Sequence, residues 1–182
     1  MQNIKILEEN FKLLSNLEHY MFSLSDVESL FPELSRAGLK TLLGRACKNG
    51  IIERICRAIY IYKGVDYSGG YELFHAAARL RAGQFNYISL ETALSDSGLI
   101  SQIPLNMITI MSSGRKSIIN CGDFGKIEFI HTKKKKANIQ SHLFFDTRCR
   151  MWRADNILAY RDLQLVSRNL DLVDERGLND PV

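Results

Sequence analysis

Between residues 35 and 63, seven basic side chains stand against one acid, Glu53. They are Arg36, Lys40, Arg45, Lys48, Arg54, Arg57 and Lys63, a net of +6 in a chain whose formal total is +4. The first 34 residues are acidic, with Lys5 and Lys12 outnumbered by glutamates and one aspartate, so the positive charge is gathered in one segment. Arg36, Lys40, Gly44 and Lys48 step by four, the spacing that lines one stripe of a helix. Such a footprint suits a polyanion. Arginine can hold a guanine edge through two parallel hydrogen bonds, worth about 1–3 kcal/mol of discrimination. On this reading Ser35, Arg36, Lys40 and Thr41 stand at the helix end that enters a major groove of double-stranded DNA. Arg45 and Lys48 meet phosphates, Arg57 sits at a hairpin tip, and Arg54 and Lys63 flank it. A second basic set comprises Arg115, Lys116, Lys133, Lys134, Lys135 and Lys136. Its plainer reading is a solvated loop and strand edge, since lysine commonly blunts exposed edges; the other is a second nucleic-acid surface.

Other chemistries find less support. Cys47, Cys56, Cys121 and Cys149 are widely spaced and suggest buried thiols rather than a disulfide framework. Cys121, His131, His142 and Cys149 lack the paired spacing of a zinc site. Asp123 and Glu128 flank a turn, but a metal nuclease would want a lysine two residues after the glutamate, where Ile130 stands. No serine–histidine–acid order, phosphate-binding glycine loop or HExxH appears. His19 and His75 fall in helical patterns. Neither catalytic residues nor a metal or cofactor is expected, and the chain is not read as an enzyme.

The elements that position the basic residues follow from periodicity. Ile4, Leu7, Phe11, Leu14 and Leu17 recur every three or four residues and predict a helix over 3–20. Ser25 and Glu28 have capping-box spacing and open a second helix, which Pro32 ends by disfavouring helical geometry at Phe31. Ser35 caps a third helix reaching about Lys48, with Leu39, Leu42, Leu43, Ala46 and Cys47 as its inner face; Asn49-Gly50 ends it. Residues 51–55 and 58–62 are β-rich and flank Cys56-Arg57, a hairpin. Helix, short helix, helix, hairpin is the order of a winged helix-turn-helix.

Asp66-Tyr67-Ser68-Gly69-Gly70 is the best boundary. It divides a DNA-binding domain, 1–66, from a C-terminal domain, 67–182. Helices are expected over 71–82, 88–97 (with Ser89 as cap) and 155–167. Strands are expected over 107–111, 118–120 and 126–131, the last two flanking a turn at 122–125. The class is α+β: an N-terminal winged helix-turn-helix, then a mixed α/β domain. No apolar run approaches the ~18 residues of a membrane helix, and the first residues lack a signal-peptide layout, so a cytoplasmic location is expected.

Leu42-Leu43-Gly44-Arg45-Ala46-Cys47-Lys48-Asn49-Gly50-Ile51-Ile52-Glu53-Arg54, leading into Arg57-Ala58-Ile59-Tyr60, resembles the helix end and wing of the AbiEi-type antitoxins of type IV toxin–antitoxin systems. The likeness continues in Tyr87-Ile88-Ser89-Leu90-Glu91-Thr92-Ala93-Leu94-Ser95, Gly98-Leu99-Ile100 and Pro104. It runs on through Ile108-Thr109-Ile110, Gly114-Arg115-Lys116 and Ile127-Glu128-Phe129-Ile130-His131, and less specifically through Asn169-Leu170-Asp171-Leu172. Ala58 is a departure, standing where many relatives have glycine in the wing turn. The resemblance implies a cytoplasmic protein that represses its own operon through inverted repeats, bound cooperatively as monomer or dimer. It also implies a functional antagonist of a cognate nucleotidyltransferase toxin, without a stable complex between them. A winged-helix regulator with no toxin, its C-terminal domain sensing a ligand or protein, is the alternative.

Overall fold

The computed structural model describes residues 2–67, 69–100 and 106–178; Ser68 and Pro104, used above, lie outside the described residues. The chain is mixed α and β and forms two compact units, Met1–Gly70 and Tyr71–Val182. No helix among the described residues is long and apolar enough to cross a membrane.

The first unit begins with α1 (Gln2–Leu14), whose Leu7 and Phe11 are fully buried. The helix stops well short of residue 20. The Asn16 side chain accepts hydrogen bonds from the Glu18 and His19 amides, both at 2.8 Å, and this Asx-type turn replaces helical pairing. Leu14 and Leu17, expected on the apolar face, are therefore exposed, and His19 lies beyond the helix. The freed chain forms β1 (Met21–Ser23), a strand the periodicity did not reveal. Next, α2 (Leu24–Leu30) is capped by Ser23, not Ser25. Ser23 Oγ accepts from the Asp26 amide at 3.2 Å while Asp26 Oδ2 accepts from the Ser23 amide at 2.7 Å. An aspartate two residues earlier completes the reciprocal pair, which leaves Glu28 outside the cap.

The third helix, α3 (Arg36–Lys48), opens where expected, with Ser35 Oγ accepting from the Gly38 amide at 3.2 Å. It ends at Asn49, followed by Gly50 in the left-handed region at φ 71°. Two strands follow, β2 (Ile52–Cys56) and β3 (Ile59–Tyr62), joined through Arg57-Ala58. The sheet order is β1-β3-β2, all antiparallel, with a register shift between Arg54 and Cys56. Leu39, Leu43 and Ala46 of α3 pack with Phe11, Phe22, Val27 and Ile52 in one core, which fixes α3 against the sheet.

The second unit holds α4 (Glu72–Leu80), β4 (Asn86–Ile88), α5 (Leu90–Asp96), β5 (Met107–Ser112), β6 (Ser117–Asn120) and β7 (Lys126–His131). After them come α6 (Lys136–Ile139), β8 (Leu143–Asp146), β9 (Met151–Ala154) and α7 (Asn156–Val166). Its sheet runs β6-β7-β5-β4-β9-β8, with β5–β7 and β4–β9 parallel and the remaining neighbours antiparallel. Ile88, expected in a helix, ends β4 instead. Ser89 occupies the position before α5, yet its hydroxyl donates to Asp162 of α7 at 2.7 Å rather than capping.

Candidate nucleic-acid interface

On α3 the buried side chains are Leu39, Leu42, Leu43 and Ala46, and every basic residue is exposed. At about 100° per residue, Arg36, Cys47, Lys40 and Gly44 fall within roughly a quarter-turn. Lys48 and Thr41 lie further round, and Arg45 lies roughly half a turn from Arg36. The exposed basic residues of α3 thus span about half the helix circumference, with Arg36 and Lys40 at one edge and Arg45, outside the row that steps by four, at the other. Cys47, expected on the inner face, is half-buried and turns partly toward the same flank as Arg36.

That flank faces the β2–β3 hairpin across a cleft of about 650 Å³. Arg36 and Lys40 line one wall, Arg54 and Arg57 the other, and Leu24, Cys47 and Tyr60 contribute the less polar lining. No acid lines it. Burial raises the Cys47 thiol and the Tyr60 phenol above their ordinary pKa values, with nearby Arg54 pulling each back in part. Both are neutral at physiological pH, so the charge of the cleft is that of its four cations.

Their freedom differs. Arg36 Nε bonds Glu28 Oε1 at 3.1 Å, in a pair whose side chains are 75% and 36% exposed. Such exposed pairs are worth about 0–1 kcal/mol, little enough for a phosphate to displace. Arg54 Nε donates to the Cys56 carbonyl at 3.2 Å, which bends the side chain along its own strand. Lys40, Arg45, Lys48 and Arg57 have no acid partner among the described residues. Lys63 pairs with Glu53 at 3.2 Å and does not line the cleft. Ser35 Oγ serves the helix N-terminus, and Thr41 Oγ1 donates to the Ala37 carbonyl at 3.0 Å. Neither lines the cleft, so the structure brings together Arg36, Lys40, Arg54 and Arg57 and leaves the other five outside it.

The second basic set is also divided. Arg115 and Lys116 are exposed between β5 and β6. The Arg115 carbonyl accepts from Arg81, whose guanidinium lies 3.8 Å over the Phe129 ring. Lys133 to Lys136 line a different cleft, of about 620 Å³, together with Phe85, Ser113, His131 and Thr132. Leu24 and Tyr60 in the first cleft and Phe85 in the second escaped sequence reasoning, because a hydrophobe that packs and one that lines a cleft look alike in a string.

Several polar side chains that could carry other chemistry have structural partners. Glu128 is buried on β7 and accepts from Arg168 at 2.8 Å; the same guanidinium bonds buried Glu91 at 2.7 Å. Asp123 is exposed on its turn. Tyr87 donates to Asp162 at 2.9 Å, and Thr92 and Thr109 bond each other. His142 Nδ1 contacts Asp155 at 2.7 Å and His131 Nδ1 the Gly114 carbonyl at 2.9 Å. Among the described residues, no three His, Cys, Asp or Glu side chains are gathered as a metal site.

No protein-family model matches this chain, and no curated protein matches it either.

Proposed function

We propose that the first unit is a winged helix-turn-helix that binds double-stranded DNA, with α3 in the major groove and the β2–β3 hairpin as the wing. The observation that carries this reading is a cleft that no acid lines among the described residues and whose four cations come from both α3 and the hairpin. A groove edge seated against α3 places a phosphate strand between two walls of donors. The strand order adds support, since β1, which leads directly into α2, pairs with β3 and so ties the hairpin to the helical part of the unit. Arg36 and Lys40 stand on the first turns of α3, the end that reaches base edges in helix-turn-helix proteins. Arg45 and Lys48 contact the flanking backbone.

Together with the family-like segments, this supports reading the chain as a transcriptional autorepressor that binds inverted repeats in its own promoter. As an antitoxin it counteracts a nucleotidyltransferase toxin without a stable complex. The test has two arms. In a mobility-shift assay on DNA from its own upstream region, replacing Arg36 and Lys40 by alanine weakens specific binding by about tenfold or more, the equivalent of one lost base contact. Unchanged affinity in a folded double variant removes α3 from the interface. Co-expression with an adjacent nucleotidyltransferase gene restores growth if the antitoxin reading holds. Absence of rescue with DNA binding intact leaves a regulator without a toxin.

A further inference from the structure

The lysine run at residues 133–136 is not simply a solvated edge. Lys134 turns inward, and its Nζ lies 2.5 Å from Asp162 Oδ1, a carboxylate with no exposed surface. Its backbone amide donates to Thr132 Oγ1 at 3.1 Å, and the Thr132 amide donates to the Ser112 carbonyl at 2.8 Å. Two residues on, the Lys136 ammonium sits 3.6 Å over the Trp152 ring. The segment is therefore pinned at both even positions. Lys133 and Lys135 remain exposed, with no acid partner among the described residues. Anchoring Lys134 and Lys136 fixes the backbone between them, so Lys133 and Lys135 project from a held segment rather than from a loose loop.

The cleft these lysines line has about 620 Å³, the size range of small-molecule sites, and no acid among the described residues lines it. Phe85, half-buried, also lines it, its backbone tied to the Ser113 loop by the Phe85 amide donating to Ser113 Oγ at 3.1 Å. An aromatic side chain and a lysine row lining one cleft offer a stacking surface beside hydrogen-bond donors for phosphate.

We propose that this cleft binds a free nucleotide, a nucleoside di- or triphosphate. Its polyphosphate lies along Lys133 and Lys135 and its base lies against Phe85. The cleft belongs wholly to the second unit, and the inference stands apart from the DNA reading of the first.

Isothermal titration of the full-length protein with the four ribonucleoside triphosphates, adenosine and inorganic triphosphate tests it. At least one nucleotide binds saturably at one site per chain, and adenosine binds at least about tenfold more weakly, the scale of lost charge-assisted contacts. Replacing Lys133 and Lys135 by alanine touches no buried group and weakens nucleotide binding by about tenfold or more. Phe85→Leu weakens nucleotide binding but leaves inorganic triphosphate unchanged. Thermal melting of each variant separates loss of the site from loss of fold. The proposal fails if no triphosphate binds saturably, or if the double lysine variant, still folded, binds as the wild type does. It also fails if a single-stranded oligonucleotide displaces the nucleotide with affinity that grows with length, which would mark a nucleic-acid surface.

Discussion

Ala58 holds φ at 66°, a left-handed conformation that costs a residue with a Cβ about 1 kcal/mol and costs glycine almost nothing. The two-residue connection through Arg57 and Ala58 demands it, and the alanine bears the strain. Ala58→Gly should therefore raise stability by about 0.5–1 kcal/mol, read as a higher melting temperature or denaturant midpoint; a lower one would mean the turn is not strained. Glu28 poses the opposite case. It is the acid that holds Arg36, and it stands there because Asp26 fills the capping role instead. Glu28→Gln releases the guanidinium and removes a negative charge close to the proposed DNA path. Affinity for DNA should rise about two- to fivefold, the scale of one exposed pair, and a mobility-shift titration giving equal or weaker binding would show that Glu28 orients Arg36 rather than restraining it.

Between elements, the cap of α2 offers a clean contrast. Ser23→Ala removes an acceptor for the Asp26 amide and should cost about 1 kcal/mol, whereas Ser25→Ala, within the first turn of the same helix, should cost less than about 0.5 kcal/mol. Chemical denaturation of the two variants decides, and equal losses would place the helix start elsewhere. The same pair shows why some of the fold was legible and some was not. The helix over α3 was readable because Ser35, four buried apolar positions and Gly50 all agree on one period and one pair of ends. The hairpin was readable because Ile and Tyr crowd both sides of a short gap. Strand β1 was not, because three residues carry no period and their partner, β3, lies some forty positions later. Strands β8 and β9 hid for a related reason: Asp146 and Arg153 look like surface charges, yet Arg153 is buried and bonds Asp146 at 3.0 Å. Local pattern reports burial of apolar groups; it is silent on a charge buried with its partner. At the candidate site, charge and helical step singled out Arg36 and Lys40. They could not show that Arg54 and Arg57 join them across a cleft while Arg45 turns away, since that follows from how the hairpin packs on α3.

Across the whole molecule the charge distribution makes a quantitative demand. A net of +4 over 182 residues is modest, so non-specific attraction by the full chain is weak, and salt sensitivity should arise from the concentrated segment alone. Each phosphate neutralised on duplex DNA contributes about −0.9 to the slope of log affinity against log salt concentration. If Arg54 and Arg57 each meet a phosphate, the slope is about −1.8, and it steepens to about −3.6 if Lys48 and Arg45 also engage the flanking backbone. Replacing Arg54 and Arg57 by alanine removes two of those contacts and should flatten the slope by about 1.8, lowering affinity for every sequence alike. Replacing Arg36 and Lys40 should instead narrow the gap between operator and unrelated DNA, because base contacts carry the discrimination. Measuring both affinities over a range of salt separates the two walls of the cleft. Were the two double variants to change slope and specificity in the same proportion, helix and hairpin would not hold distinct roles, and α3 would be gripping the backbone rather than reading the groove.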